Sequence, residues 1–344
     1  MNADDVLDAP RREAFYDLPE QLRELDELPG FLPQFAAARR HARMDREGLA
    51  AARHISTWND RLSRRIIDLV AKRHRLPPVG WCWLALGSEA RHEQTLVSDQ
   101  DNGLVFSASG AQEARALRAL FLPFAEDANE QLAAAGFTRC PGEIMAGNPA
   151  WCLSFDEWRE RFGDWVRRPE PEALLNASIF FDLRAMHGDH SLVDRLQAHL
   201  LALTRENPLF QRLMAINALT VAVPLGFRGD LSADAERELD LKKFGSRVIV
   251  DAARIFALAH GSAAVNTLQR LKTAGPAAGM GEQEIAVVGA AFSHLLRLRL
   301  THQHEAAGSV FSPAGLHDMD RVILREALRQ AKRLQLRLKL NYSL

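Results

Sequence analysis

A short apolar run at residues 81–86 is the feature that most constrains how this chain can fold. Its sequence is Trp-Cys-Trp-Leu-Ala-Leu, and it is bounded by Gly80 and Gly87. A continuous apolar run of this length between two glycines fits a buried strand better than a helix. Two consecutive prolines shortly before it stop any preceding helix, because proline can neither continue a helix nor donate a backbone hydrogen bond. A new architecture is therefore expected from about residue 75.

The residues after the apolar run alternate between strand and helix patterns. Residues 102–106 predict a second strand, and the stretch 111–135 has the composition of a helix that ends at Gly136. Residues 137–146 carry a third, weaker strand signal that a Pro-Gly pair interrupts. This alternation predicts a small mixed sheet with helices packed on it.

Helical patterns occupy the chain on both sides of this region. Apolar residues between 32 and 74 recur at helical spacing, and almost everything after Asp182 also looks helical. The sequence Arg-Pro-Glu-Pro at 168–171 opposes both helix and sheet and predicts a linker. We therefore expect an α+β fold. Its parts are an N-terminal helical segment at 1–74, a mixed-sheet domain at 75–168 and a helical bundle at 172–344.

The composition is that of a folded globular protein, with 47% hydrophobic and 25% charged residues and a formal net charge of -1. A chain so close to neutrality has no overall basic field with which to hold nucleic acid or an anionic membrane. Its three scattered cysteines suggest a reducing compartment. The N-terminus does not resemble a signal peptide, and no apolar stretch approaches about eighteen residues. We expect a cytoplasmic protein without membrane contact.

One segment carries the residues expected to perform chemistry, LALGSEARHEQTLVSDQDNGLVF at 84–106. At Gly87 and Ser88 a buried strand ends, and glycine allows the backbone to turn sharply and approach a ligand closely. Ser88 adds a hydroxyl donor, and the Arg91 guanidinium could meet phosphate oxygens in bidentate fashion. These features suit the binding of a triphosphate.

Two carboxylates follow at the entry to the second strand. Asp99 and Asp101 are separated by one residue, so both side chains are expected on one face of the strand. Carboxylates held together repel each other, and a cation between them removes the repulsion. Mg²⁺ suits such a pair, since it keeps waters and substrate phosphates as its other ligands. A phosphate-binding turn followed by Asp-x-Asp indicates metal-assisted nucleotidyl transfer.

The segment GSEARHEQTLVSDQDN at 87–102 resembles the nucleotidyltransferase superfamily of DNA polymerase beta, in particular its PII uridylyltransferases and glutamine synthetase adenylyltransferases. It is most similar to the nucleotidyltransferase family usually attached to CBS-domain pairs or cyclic-nucleotide-binding domains. The stretches Cys-Pro-Gly at 140–142, Met-Ala at 145–146 and Asn-Pro-Ala-Trp at 148–151 follow the same family pattern. The resemblance spans about residues 35 to 344 and implies a polymerase-beta-like domain followed by a helical substrate-binding domain.

The resemblance also implies a role for each motif residue. The nucleotide-binding residues would be Gly87 and Ser88, which would hold the β and γ phosphates, together with Arg91 and Asn102. Asp99 and Asp101 would be catalytic and would bind two Mg²⁺ ions, while the acceptor oxygen attacks the α-phosphate and pyrophosphate leaves. Such enzymes use a third carboxylate on a neighbouring strand. Glu143 is favoured slightly by position, and Asp182 is the other candidate, although an acid beside Arg184 could equally form a structural ion pair.

The resemblance implies a Mg²⁺-dependent enzyme that moves UMP or AMP from UTP or ATP onto a protein, with a PII-like regulator as acceptor. A different class of function remains open, namely a nucleotide-binding regulatory module that acts through a partner protein with little or no turnover. Addition of nucleotides to RNA is disfavoured by the neutral charge. No CBS or cyclic-nucleotide domain is seen, so any sensory input is expected to be absent or to come from a separate chain.

Three arginines fall within otherwise apolar predicted helices, at Arg254, Arg270 and Arg297. A buried guanidinium needs a carboxylate partner or an anionic ligand. Internal salt bridges with acids such as Asp251 are the first interpretation. The alternative is a basic pocket that faces the active site from the helical domain.

Overall fold

The computed structural model describes residues 17–43, 47–226, 229–303 and 310–344, so residues 1–16 and 44–46 of the predicted N-terminal helical segment lie outside the described residues. A mixed sheet of four strands lies at the centre of the fold, in the order β3-β2-β1-β4. Strand β1 pairs antiparallel with both β2 and β4, and β2 pairs parallel with β3. The strands are β1 (Trp81–Leu86), β2 (Asn102–Phe106), β3 (Cys152–Ser154) and β4 (Leu183–Gly188).

The first two strands confirm the sequence prediction, and the other two differ from it. The third strand forms at β3 rather than at 137–146, where the backbone turns at Pro141 and Glu143 has a φ of 55°. Within 137–146, Thr138 forms an isolated parallel bridge with Asp99. Strand β4 was not predicted, because Leu-Arg-Ala-Met is made of good helix formers and only its pairing with β1 makes it a strand.

Helices before β3 cover one face of the sheet. They are α1 (Leu18–Gln21), α2 (Leu28–Arg43), α3 (Gly48–Arg73), α4 (Gly87–Ala90) and α5 (Ala111–Ala134). Trp83 and Ala85 of β1 pack with residues of α3 and α5, whereas Leu84 and Leu86 belong to a second core cluster with the C-terminal helices. Because both faces of β1 are buried, its sequence is a continuous apolar run rather than an alternating one.

Helices after β3 form the C-terminal bundle and cover the other face. They are α6 (Phe155–Arg167), α7 (Pro171–Phe180), α8 (His190–Arg205), α9 (Pro208–Leu219), α10 (Ala233–Arg237), α11 (Arg247–Ala259), α12 (Thr267–Ala274), α13 (Glu282–His302) and α14 (Asp318–Tyr342). A π-helical turn at Lys242–Ser246 precedes α11. Strands β5 (Leu239–Asp240) and β6 (Val310–Phe311) form a small antiparallel pair.

Local sequence signals explain how these helices begin. Ser154 and Glu157 form the capping box that starts α6, with each side chain bonded to the other residue's backbone N–H. Pro171 occupies the first turn of α7, where its missing N–H costs nothing. The resulting α+β architecture, a small mixed sheet with a helical C-terminal region, agrees with the sequence prediction. No helix within the described ranges is both long and apolar enough to span a bilayer.

Candidate active site

A cleft of about 380 Å³ lies where the carboxyl end of β1 meets the C-terminal bundle. The sheet side contributes Gly87, Ser88, Asp99, Asp101 and Cys140. The helical side contributes Lys242, Ser246, Asp251, Arg254 and Arg299. The cleft thus brings the glycine turn and both motif aspartates together.

The turn after β1 requires glycine for two reasons. Gly87 has a φ of 54°, in the left-handed region that L residues with side chains rarely adopt. A Cβ atom at this position would lie 3.1 Å from Oδ2 of Asp101. The Gly87 N–H donates to the backbone carbonyl of Asp182 at 3.1 Å, which fixes the turn against the start of β4. Gly87 therefore keeps the chain close to Asp101 without filling the space beside its carboxylate.

Asp99 and Asp101 both face the cleft because the residue between them is anchored on the opposite side. The Gln100 amide donates to the carbonyls of Asn129 and Phe137, each at 3.1 Å, deep in the protein. Burial raises the pKa of Asp101, and the negative charge of Asp99 adds to this effect. Lys242 and the Cys140 thiol oppose it without cancelling it. A cation bound at this pair would therefore relieve an unfavourable concentration of negative charge.

The donor set is consistent with Mg²⁺ held in part by a substrate. Asp99 and Asp101 supply hard carboxylate oxygens, and Ser88 supplies a hydroxyl in the same cleft. Across the described ranges, no group of three His, Cys, Asp or Glu side chains could enclose an ion without help. Mg²⁺ commonly binds through one or two carboxylates plus waters and phosphates. The two aspartates therefore fit a magnesium ion that arrives with, or is completed by, a nucleotide.

The two candidates for a third carboxylate do not line the cleft. Glu143 is exposed on the turn after Cys140, and its backbone carbonyl accepts from the Asn148 amide and the Trp151 indole. The cleft is instead lined at this point by Cys140, whose thiol lies against Asp101, and by Gly142 and Ile144. The positive φ of Glu143 turns its side chain out of the extended register on which the prediction depended.

Asp182 is wholly buried, and three arginines donate hydrogen bonds to its carboxylate. Arg254 donates to both oxygens, Arg91 donates to Oδ2 at 2.5 Å, and Arg270 donates to Oδ1. Burial alone would raise the pKa of Asp182, but the three guanidiniums hold it far below its usual range. The geometry therefore favours the structural ion-pair role considered for Asp182 over that of a base or metal ligand.

The predicted phosphate ligands Arg91 and Asn102 are also engaged elsewhere. Arg91 lines the cleft, but its guanidinium pairs with Asp182 and with Glu93, the latter at 2.7 Å. Glu93 in turn accepts from the backbone N–H of Thr267 at 2.8 Å, which ties the loop after the glycine turn to the start of α12. The Asn102 side chain lies outside the cleft, where its Oδ1 accepts from Asn129 and from the Ala146 N–H. Asn102 thus shapes the loop rather than reaching the cleft.

Of the three arginines singled out in the helical region, two form buried salt bridges and the third does not. Arg254 and Arg270 are buried and form ion pairs with Asp182, and Arg254 also pairs with Asp251 at 2.6 Å, as the salt-bridge interpretation predicts. Arg297 is half-exposed and pairs with Asp320 on α14, away from the cleft. The buried arginine of α13 that lines the cleft is Arg299.

Arg299 and Lys242 were not predicted from the sequence, although the position of Arg299 on its helix gives a signal. Arg299 lies three and four residues after Leu296 and Leu295, which are both buried, so it falls on the apolar face of α13. Its Nη1 donates to the Ser246 hydroxyl at 3.3 Å. Burial lowers the pKa of this guanidinium to about 10. Lys242 and Ser246 lie in the π-helical turn, which no sequence pattern indicates.

Comparison with known families gives two matches, one on each side of the cleft. Residues 35–172 match the family described as "Putative nucleotidyltransferase DUF294". Residues 208–342 match the family described as "Putative nucleotidyltransferase substrate binding domain". No curated protein matches the chain. The first match contains the glycine turn and both aspartates, and the second contains Lys242 and Arg299.

Proposed function

This chain belongs to the nucleotidyltransferase family whose two domain models it matches, and from that premise we propose that it transfers UMP or AMP from a nucleoside triphosphate to a protein acceptor in a Mg²⁺-dependent reaction. The observation that carries the proposal is the convergence of Gly87, Asp99 and Asp101 on one cleft. The family matches support nucleotidyl transfer in general. The donor base, the metal and the acceptor are the parts that we propose.

Each motif residue has a defined task in this reaction. Asp99 and Asp101 would hold Mg²⁺, which when bound neutralises phosphate charge and favours attack at the α-phosphate. Ser88 and the backbone at Gly87 would hold the phosphates beside the aspartates. A bond forms between the acceptor oxygen and the α-phosphorus, the bond from that phosphorus to the bridging oxygen breaks, and pyrophosphate leaves. The acceptor proton passes to water, since the structure places no unpaired third carboxylate in the described lining.

A PII-like regulator is the acceptor that we propose, because the motif resembles that of the PII uridylyltransferases. The openness of the cleft to solvent between sheet and bundle is compatible with a protein side chain as acceptor. We place the reaction in the cytoplasm, where three free and buried cysteines would stay reduced.

Transfer can be tested with nucleotides labelled at the α-phosphate. UTP and ATP are each incubated with Mg²⁺, the protein and a PII-like acceptor, and label on the acceptor is measured with pyrophosphate release. The proposal predicts both signals with one nucleotide and neither with Asp99→Asn. Pyrophosphate release without acceptor labelling would contradict the protein acceptor, and the absence of both signals with every acceptor and nucleotide tried would contradict transfer.

One observation favours a second candidate, a regulatory module that binds a nucleotide without turnover. The carboxylates that line the cleft besides the two motif aspartates are Glu93 and Asp251, and both already bind arginines. The side chain that lies against Asp101 from the neighbouring turn is the Cys140 thiol rather than a third carboxylate. Nucleotide binding that depends on Asp99, together with no pyrophosphate release under any condition, would select this candidate.

A further inference from the structure

The cations that line the cleft divide into those that form an ion pair with a carboxylate of the protein and those that do not. Arg91, Arg247 and Arg254 each form an ion pair with at least one carboxylate. In the part of the chain that the structure describes, Arg299 and Lys242 form none, and both line the same cleft. The two differ in setting, since Lys242 is exposed and Arg299 is only 9% exposed.

The hydrogen bonds of Arg299 go to neutral groups, and Asp240 and Glu93 attract its charge without forming a salt bridge with it. Its Nη1 donates to the Ser246 hydroxyl at 3.3 Å and its Nη2 to the Thr95 hydroxyl at 3.5 Å. Its Nε is buried and has no hydrogen-bond partner. A buried guanidinium that no carboxylate contacts directly is costly, and a ligand that brings negative charge would offset that cost. The partners of Arg299 also place it near the loop that carries Asp99, because Thr95 lies in that loop.

We propose that Arg299 and Lys242 form an anion subsite for the terminal phosphates of a nucleoside triphosphate. The proposal deepens the function proposed above and rests on it for the nucleoside. The helical domain then contributes directly to phosphate binding and makes the cleft selective for triphosphates over monophosphates. Arg299 supplies a fork of N–H donors that suits phosphate oxygens, and Lys242 supplies a second positive charge at the entrance.

Inorganic tripolyphosphate tests this subsite directly, because its binding does not depend on the nucleobase, the acceptor or turnover. Binding of inorganic tripolyphosphate with Mg²⁺ is measured by titration calorimetry for the wild type and for Arg299→Gln. The matched control is Arg297→Gln, which removes one charge from the same helix at a half-exposed position paired with Asp320. We expect at least tenfold weaker binding for Arg299→Gln, unchanged binding for Arg297→Gln, and an unchanged affinity of Arg299→Gln for nucleoside monophosphates.

Two further measurements guard against a folding artefact. The midpoint of thermal unfolding without ligand should be unchanged or higher in Arg299→Gln, because the variant removes a buried charge that no carboxylate contacts directly. Lys242→Gln changes an exposed side chain and should weaken tripolyphosphate binding several-fold even if Arg299→Gln does not fold.

Failure of the subsite and failure of the proposed function give different results. Wild-type affinity for tripolyphosphate in both Arg299→Gln and Lys242→Gln would overturn the subsite, and so would a wild type that does not bind tripolyphosphate. Arg299-dependent binding of tripolyphosphate in a protein that transfers no nucleotide would support the subsite and overturn only the transfer reaction. Loss of monophosphate binding equal to the loss of tripolyphosphate binding would show general damage to the cleft and overturn the subsite.

Discussion

Arg254 donates to both carboxylate oxygens of Asp182, from Nε to Oδ1 at 2.9 Å and from Nη2 to Oδ2 at 2.6 Å. This pair joins α11 of the bundle to the residue that precedes β4. It belongs to a buried network of three guanidiniums and three carboxylates, and the partly exposed Arg247 also contacts Asp251. The members are Arg91, Arg254, Arg270, Glu93, Asp182 and Asp251. The network fixes the sheet against the bundle and thereby sets the shape of the cleft.

Replacement of Asp182 by Asn should destabilise the protein strongly. The change leaves three buried guanidiniums with one carboxylate fewer, and breaking a buried ion pair costs about 3–5 kcal/mol. Urea denaturation measures the free energy of unfolding. The matched control is Asp320→Asn, which breaks a partly exposed pair with Arg297 and should change stability by less than about 1 kcal/mol. Equal stability of the two variants would contradict the structural role of Asp182.

Replacement of Gly87 by Ala should reduce nucleotide binding and transfer at least tenfold. An added Cβ strains the backbone at a φ of 54° and lies 3.1 Å from Oδ2 of Asp101, so the turn or the carboxylate must move. Gly30→Ala is the control, because nothing lies within 4 Å of a Cβ there and the residue is helical. That variant should keep wild-type activity. Wild-type activity in Gly87→Ala would contradict the close approach of the turn to Asp101.

The acidic pair should be needed for transfer and dispensable for folding. Asp101→Asn removes a carboxylate whose pKa is raised by burial and by its neighbour Asp99, so the variant should be at least as stable as the wild type without ligand. Its transfer activity should be undetectable in the labelling assay. Glu160→Gln changes an exposed acid on α6 and serves as the control. An active Asp101→Asn enzyme would remove the metal-binding role of Asp101.

The contribution of Glu89 to stability should fall as pH rises from about 5 to 8. Burial raises the pKa of Glu89 to about 8, and nearby Asp60 contributes to the rise. The unfolded chain releases this proton near the ordinary glutamate pKa of about 4.3 while the folded protein keeps it. The contribution of Glu89 is therefore fully present at low pH and lost as pH approaches the folded-state pKa.

The Glu89→Gln variant isolates this effect. The amide has no proton to lose, so the variant should gain stability over the wild type as pH rises, by on the order of a few kcal/mol at pH 8. Urea denaturation of both proteins between pH 5 and 8 checks the prediction, and Glu160→Gln controls for the loss of an exposed acid. Parallel pH profiles for Glu89→Gln and the wild type would contradict a neutral buried Glu89.

The sequence could predict the parts of the fold that depend on local patterns. The apolar run of β1, the helix that ends before Gly136 and the capping box at Ser154 are each readable from a few neighbouring residues. Strand β4 could not be predicted, because its residues favour helix and only pairing with β1 overrides that preference. Strand β3 has three residues and aligns with β2 through contacts distant in sequence.

The residues of the candidate site could likewise be predicted only where local patterns determine their positions. Asp99 and Asp101 face one cleft because strand alternation is a local rule that sequence reveals. The partners of Arg91 and Asp182 are not local, since Asp182 is 91 residues from Arg91 and 72 from Arg254. No sequence rule shows which buried arginine is neutralised by the protein. The distinction between Arg254 and Arg299, on which the phosphate subsite depends, therefore required the structure.

The central claim is that this cleft binds a nucleoside triphosphate with Mg²⁺ through its two motif aspartates. The most direct test is thermal unfolding with ATP, UTP, GTP and CTP, with and without Mg²⁺, for the wild type and Asp99→Asn. A ligand at a hundred times its Kd stabilises the folded state by about 2.7 kcal/mol, which raises Tm by a few degrees. The account predicts a Mg²⁺-dependent rise in Tm for at least one nucleotide that is lost in Asp99→Asn. No rise with any of the four, or an equal rise in the variant, would contradict it.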